Sequence, residues 1–280
     1  MFLMRYPGGL AKALTFSYDD GVEQDVELIR IFDQHGMKCT FNLNSGLFAP
    51  EGCQWPEGEF IRRMPRRQCI DLYKNSPHEV AVHCLTHQLL TEAPTAMILN
   101  EVLEDRKNLE RDFGGIIRGM AYPYGPCDRA AVDALRSCGI LFARTVTSSR
   151  KFDIPEDWLR LPPTCHHDDP RLMTMADKFI NRKESNIYGC WLFYVWGHSY
   201  EFERDDNWYI IRDFCEKMAG KDDIWYATNS EIFEYVEAWK SLRFSADGKT
   251  VFNPTVVTLW FKKDQEIRTI GPGEMLQIDG

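Results

Sequence analysis

The sequence of 280 residues has no lysine- or arginine-rich block, and its 42 acidic residues outweigh 33 basic ones for a formal net charge of −9. Such a chain offers no electrostatic footprint for nucleic acid or for an anionic membrane surface. No apolar run approaches the roughly 20 residues that a membrane-spanning helix needs. Met1 leads through Arg5-Tyr6-Pro7-Gly8-Gly9 without the basic, apolar and small-residue zones of a secretory leader. The nine cysteines are an odd number without any Cys-x-x-Cys spacing, and Cys39, Cys69, Cys138 and Cys190 lie inside apolar segments. That pattern argues against a disulfide frame or a thiolate zinc site, and for reduced core thiols in a cytoplasmic protein. No internal repeat is present.

Hydrophobic residues make up 44% of the chain, enough to bury a full core. Apolar runs that read as strands, Ala13 to Phe16, Lys38 to Leu43, Glu79 to Val82, Gly119 to Tyr122, Ile140 to Arg144, Cys190 to Trp196 and Ile224 to Ala227, alternate with helical patterns. Short, continuous apolar strands separated by helices predict a parallel sheet covered on both faces. About seven such units in about 240 residues predict a closed or nearly closed β/α barrel. The segments 44–63 and 145–169 read as long loops. From Arg243 the texture changes to short alternating segments and turns such as Asp247-Gly248, Lys263-Asp264 and Gly271-Pro272-Gly273. This predicts a barrel over 1–242 and a small antiparallel β-hairpin appendage over 243–280.

The chain's chemistry gathers at the predicted strand ends. Asp19 and Asp20 follow the first strand, before Gly21. Two adjacent carboxylates there repel and lose solvation, so they serve either as an ordinary helix cap or as a working pair, one binding a cation and the other handling a proton. His83 and His87 follow the third strand; a helical turn would set both rings on one face. With Asp20 they make a two-histidine, one-carboxylate set with open positions, the pattern of a catalytic divalent metal. The turn Tyr122-Pro123-Tyr124-Gly125 can aim a backbone N–H into a cleft. His198, after the most apolar strand, is a natural acid at the same rim, although a lone histidine is often structural. Trp55, Tyr122, Trp196 and Tyr200 are candidate exposed aromatics for stacking on sugar rings.

The order Asp-Asp, His-x-x-x-His, Pro-Tyr-Gly and a late His, over about residues 10–235, resembles the polysaccharide deacetylase (NodB-homology) family, carbohydrate esterase family four. The resemblance implies a distorted β/α barrel and a metal-dependent hydrolase that removes acetyl groups, most readily N-acetyl, from a carbohydrate. It implies Asp19 as general base, Asp20, His83 and His87 as metal ligands, Tyr124 as an oxyanion donor through its N–H, and His198 as general acid. Zinc suits these ligands, with cobalt, nickel or manganese as alternatives. The chain departs from the family pattern at Ser17-Tyr18, which lengthens the first motif, and at Ala121, where the family commonly has an arginine that orients the catalytic aspartate. Arg144, at the end of the next strand, is either a surface residue there or the substitute, placed to reach Asp19 bidentately, with Arg118 as the rival donor before its own strand. The expected partner is an acetylated carbohydrate. A carbohydrate-binding or regulatory protein with a degenerate site, and a non-sugar amide hydrolase, are the competing readings.

Overall fold

The computed structural model describes residues 2–183 and 189–278. Its strands are β1 (Phe2–Arg5), β2 (Lys12–Asp19), β3 (Cys39–Leu43), β4 (Glu79–Val82), β5 (Gly119–Ala121), β6 (Phe142–Arg144), β7 (Cys165–His166), β8 (Trp191–Gly197), β9 (Ile224–Tyr226), β10 (Arg243–Phe244), β11 (Thr250–Phe252), β12 (Leu259–Lys263), β13 (Glu266–Ile270) and β14 (Met275–Gln277). The helices are α1 (Asp25–Gln34), α2 (Arg66–Tyr73), α3 (Thr95–Phe113), α4 (Arg129–Ser137), α5 (Leu172–Ile180), α6 (Tyr200–Arg204), α7 (Tyr209–Met218) and α8 (Asn229–Lys240).

β2 is the central strand, and all eight of its residues are buried. One edge pairs with β8 from Lys12 to Tyr18; the other pairs with β9 at Lys12–Leu14 and then with β3 from Phe16 to Asp19. The sheet continues β6-β5-β4-β3-β2-β8-β7, with every neighbour parallel. This is the expected distorted β/α barrel, curled rather than evenly closed. The segment 161–166 spans its gap, bridging Leu161 to Arg144 on one side and pairing β7 with β8 on the other. The sequence predicts loop there, because Pro162 and Pro163 mask a strand of two residues. Helices cover the outer face because their apolar stripes need it; α1, for example, buries Leu28, Ile29, Ile31 and Phe32.

The C-terminal segment forms two small antiparallel sheets, β1-β12-β13 and β10-β11-β14. The hairpin of β12 and β13 turns on Asp264 and Gln265, both with positive φ (50° and 74°), as a two-residue primed turn requires. β1, which carried no clear strand signal, pairs with β12 and thereby ties the N-terminus to the appendage. The Tyr235 hydroxyl on α8 donates to the Arg5 carbonyl and accepts from the Trp260 N–H, so the appendage is seated on α8. A second core of Tyr235, Val236, Val251, Leu259 and Phe261 joins Ala13, Leu192 and Tyr194 of the barrel.

Candidate functional site

The carboxyl ends of β2, β4, β5 and β8 open into one cleft of about 590 Å³. Asp19, Asp20, His83, His87, Tyr124 and His198 all line it. Neighbours on a strand point to opposite faces, yet Asp19 and Asp20 share the cleft. Asp20 has φ of 85° and Gly21 of 64°, so the chain swings left-handed as it leaves β2 and turns the second carboxylate inward.

Asp19 is buried. Its Oδ1 accepts from the Asn42 amide (2.8 Å), and its Oδ2 meets the Arg144 guanidinium. Burial raises its pKa, but Arg144, with His83 and His198, more than offsets this and lowers it to about 2. Arg144 is itself fully buried, donates from Nε to Ser17 Oγ (3.1 Å) and lies 4.4 Å from the Trp196 ring centroid. The expected two-toothed grip on Asp19 is not formed: one arm holds the carboxylate, and Nε is taken by Ser17.

Asp20 accepts from Arg63 at Oδ1 (2.8 Å) and again at its carbonyl (2.8 Å). Burial raises the Asp20 pKa, and Arg63, then His83 and His198, lower it below the usual value. His83 is buried, and its Nδ1 faces the Ala121 carbonyl at 2.8 Å. That contact puts the ring proton on Nδ1, leaving Nε2 as a buried lone pair with no hydrogen-bond partner. The His87 Nε2 lies 3.9 Å from Asp20 Oδ1, and burial, with His83 alongside, lowers its pKa to about 4. One ligand atom from each of Asp20, His83 and His87 lies within 4.8 Å of the others. Neutral imidazoles, a carboxylate and an unpartnered Nε2 form a donor set suited to a divalent cation. Sequence spacing anticipated the pair of histidines but not its geometry. The segment is not helical; positive φ at Cys84 (65°) and His87 (58°) folds one ring back onto the other.

His198 presents Nε2 at 3.9 Å from Asp19 Oδ2, while Nδ1 lies 3.4 Å from Glu201 Oε1. Burial lowers the His198 pKa, but Glu201 and the two aspartates more than offset this, so it is raised. Tyr124 has φ of 61°, and its N–H has no partner among the described residues. The next residue must be glycine, since a Cβ on Gly125 (φ 93°) would lie 2.2 Å from Val146. Tyr122 and Trp196, expected as exposed stacking residues, are mostly buried as cleft wall; Tyr122 is pinned by donating its hydroxyl proton to the Leu159 carbonyl. Tyr200 lines the cleft, whereas Trp55 is outside the lining.

Residues 7–143 match the family model described as polysaccharide deacetylase. Over those residues, a little under half of the chain, it is similar to the polysaccharide deacetylase family. No curated protein is matched by sequence. Among solved structures, the chain is similar to a putative polysaccharide deacetylase from Mycobacterium smegmatis (17% identity, 85% of this chain and 94% of that one, TM-score 0.57). It is also similar to a family 4 carbohydrate esterase from Streptomyces lividans in complex with acetate (14%, 80% and 95%, TM-score 0.52). A third is the chitin deacetylase of Colletotrichum lindemuthianum (17%, 82% and 89%, TM-score 0.50). At these identities the likeness is one of fold.

Three contributors to the site escaped the sequence reading. Asn42 carried the best signal, a polar residue between Phe41 and Leu43 in a buried strand. Arg63 lies in the long loop and reaches Asp20 only because that loop folds back, with the Met64 N–H bonded to the Gly21 carbonyl. Glu201 had no local signal beyond its distance of three residues from His198.

Proposed function

We propose that this protein is a metal-dependent deacetylase that hydrolyses an acetamide on a carbohydrate. The observation that carries the reading is the unpartnered, buried Nε2 of His83 turned toward Asp20 and His87, beside an Asp19 held ionised by Arg144. Asp20, His83 and His87 would hold a divalent cation, zinc by ligand type, which supplies Lewis acidity to acyl chemistry when bound. Asp19 takes the proton of the attacking water. It can do so because its carboxylate is ionised, while Asn42 and Arg144 fix its orientation. The Tyr124 N–H faces the oxygen that gains charge as the carbonyl carbon becomes tetrahedral. His198, its pKa raised beside Glu201, gives a proton to the departing amine as the C–N bond breaks, leaving acetate and the free amine.

The unpaired state of all nine cysteines, seven of them buried, supports a reducing, cytoplasmic setting. No described helix is long and apolar enough to cross a membrane.

The test is acetate release from a chitooligosaccharide by protein stripped of metal and then reloaded with zinc. Hydrolysis that returns with the metal supports the proposal. Stoichiometric metal without hydrolysis of any acetylated sugar would favour a carbohydrate-binding role instead. His198→Ala should lower turnover of the acetamide much more than that of an activated aryl acetate, whose leaving group needs no proton. Equal fractional losses would show His198 to be a positioning group.

A further inference from the structure

Behind the cleft wall formed by Trp196 and His198 lies a second gathering of ligand-type side chains that the deacetylase reading does not use. β7 ends at His166, His167 follows it, and α6 contributes Glu201. One ligand atom from each of the three lies within 4.8 Å of the others. Glu201 Oε2 is 3.1 Å from His166 Nε2 and 3.4 Å from His167 Nε2. A tetrahedral zinc ion with bonds of about 2.0–2.1 Å separates its ligand atoms by about 3.3–3.4 Å, so the spacing is that of ligands around one ion.

The outer nitrogens of both rings are already committed. His166 Nδ1 faces Asp168 Oδ1 at 2.6 Å, and His167 Nδ1 pairs with the Tyr18 hydroxyl at 3.1 Å. A neutral imidazole has one N–H. With that proton on the Asp168 side, His166 turns a lone pair toward the Glu201 carboxylate, and two acceptors facing each other need a cation between them. Asp168 then plays the part that carboxylates play behind metal-bound histidines, fixing the ring's tautomer and orientation. The backbone makes room for the arrangement. A Cβ on Gly197 would lie 2.0 Å from His167 Nδ1, so only glycine at that point of β8 admits the ring.

We propose that His166, His167 and Glu201 form a second divalent-cation site, of the zinc class, distinct from the one at Asp20, His83 and His87. It clamps the turn after β7 to the helix after β8. Through the other Glu201 oxygen, 3.4 Å from His198 Nδ1, it fixes the rim position of His198. The site stands on its own geometry and does not depend on the deacetylase reading.

The test counts metal and needs no turnover. The full chain carrying Asp20→Asn and His87→Ala is incubated with zinc, desalted and analysed by elemental mass spectrometry, with circular dichroism to verify folding. The wild-type chain should hold two equivalents and this variant one. Adding Glu201→Gln or His166→Ala should remove that last equivalent. In the otherwise wild-type chain, His166→Ala alone should lower two equivalents to one, which keeps the test intact if the multiple variants fold poorly. Cobalt loaded into the remaining site should give the visible absorption of a four-coordinate ion. A double variant that holds no metal, leaving a proton as the only bridge between His166 and Glu201, overturns the proposal. So does one whose metal survives His166→Ala.

Discussion

Asp19 is buried and Glu79 partly buried at the opposite end of the barrel, and their electrostatics run in opposite directions. Glu79 begins β4, where its carboxylate accepts from the Thr40 hydroxyl (2.7 Å) and from the Ser230 N–H (3.0 Å) and hydroxyl. These donors are neutral, so burial dominates and the Glu79 pKa is raised. Asp19 ends β2 against a guanidinium and stays ionised, with a pKa of about 2. One end of the barrel uses a carboxylate as a structural knot that caps the start of α8. The other keeps an ionised carboxylate beside histidines in an open cleft. Loss of solvation raises both pKa values; the counter-charge decides which carboxylate is available for proton transfer.

The largest expected effect comes from erasing the charge at the working end. Asp19→Asn should lower kcat for acetamide hydrolysis by about two to four orders of magnitude, as for a lost general base. Metal content should be unchanged; comparable metal loss in Asp19→Asn and Asp20→Asn would mean that the two carboxylates share one role.

Removing the counter-charge is the sharper test. Arg144→Ala leaves Asp19 buried without its guanidinium and should destabilise the fold by about 3–5 kcal/mol, as when one partner of a buried pair is lost. The sign with pH follows from the lowered Asp19 pKa. Its stabilisation is fully present above the unfolded value near 4 and is lost as pH falls through about 2. In Arg144→Ala this acid-side loss should shrink, because burial without the guanidinium raises the folded-state pKa of Asp19 back toward the unfolded value, and turnover should fall with metal content intact. Arg144→Lys should recover little, since a point charge cannot serve both Asp19 and Ser17. Near-normal turnover in Arg144→Ala would remove Arg144 from the site's working parts.

The smallest effect is expected at the structural end. Because its pKa is raised, Glu79 contributes stability that is present below the unfolded value, about 4.3, and lost as pH rises through the folded one. Glu79→Gln should flatten stability against pH above that value and leave turnover within about twofold, in keeping with a change remote from the chemistry. A turnover loss as large as that of Asp19→Asn would end the contrast between the two ends.

Much of this molecule was legible before folding. The alternation of apolar strands with helices in 280 residues implied the barrel, because both faces of a parallel sheet must be covered. The residues at the strand ends implied the cleft, since those ends converge. Local pattern also placed the change of texture near Arg243, where β10 begins.

Tertiary structure alone decided the rest. No sequence signal could bring Arg63 onto Asp20, because that contact depends on where a long loop returns. Arg144 reaches Asp19 across 125 positions of sequence, and only the β2–β6 geometry shows that its guanidinium divides between Asp19 and Ser17. The left-handed turns at Asp20 and His87 likewise depend on the packing around them, since Asp and His enter that region more readily than most residues but do not require it. Composition and periodicity record which surfaces a residue prefers. Which charge faces which is set by contacts distant in sequence, and that pairing fixed the electrostatics of this site.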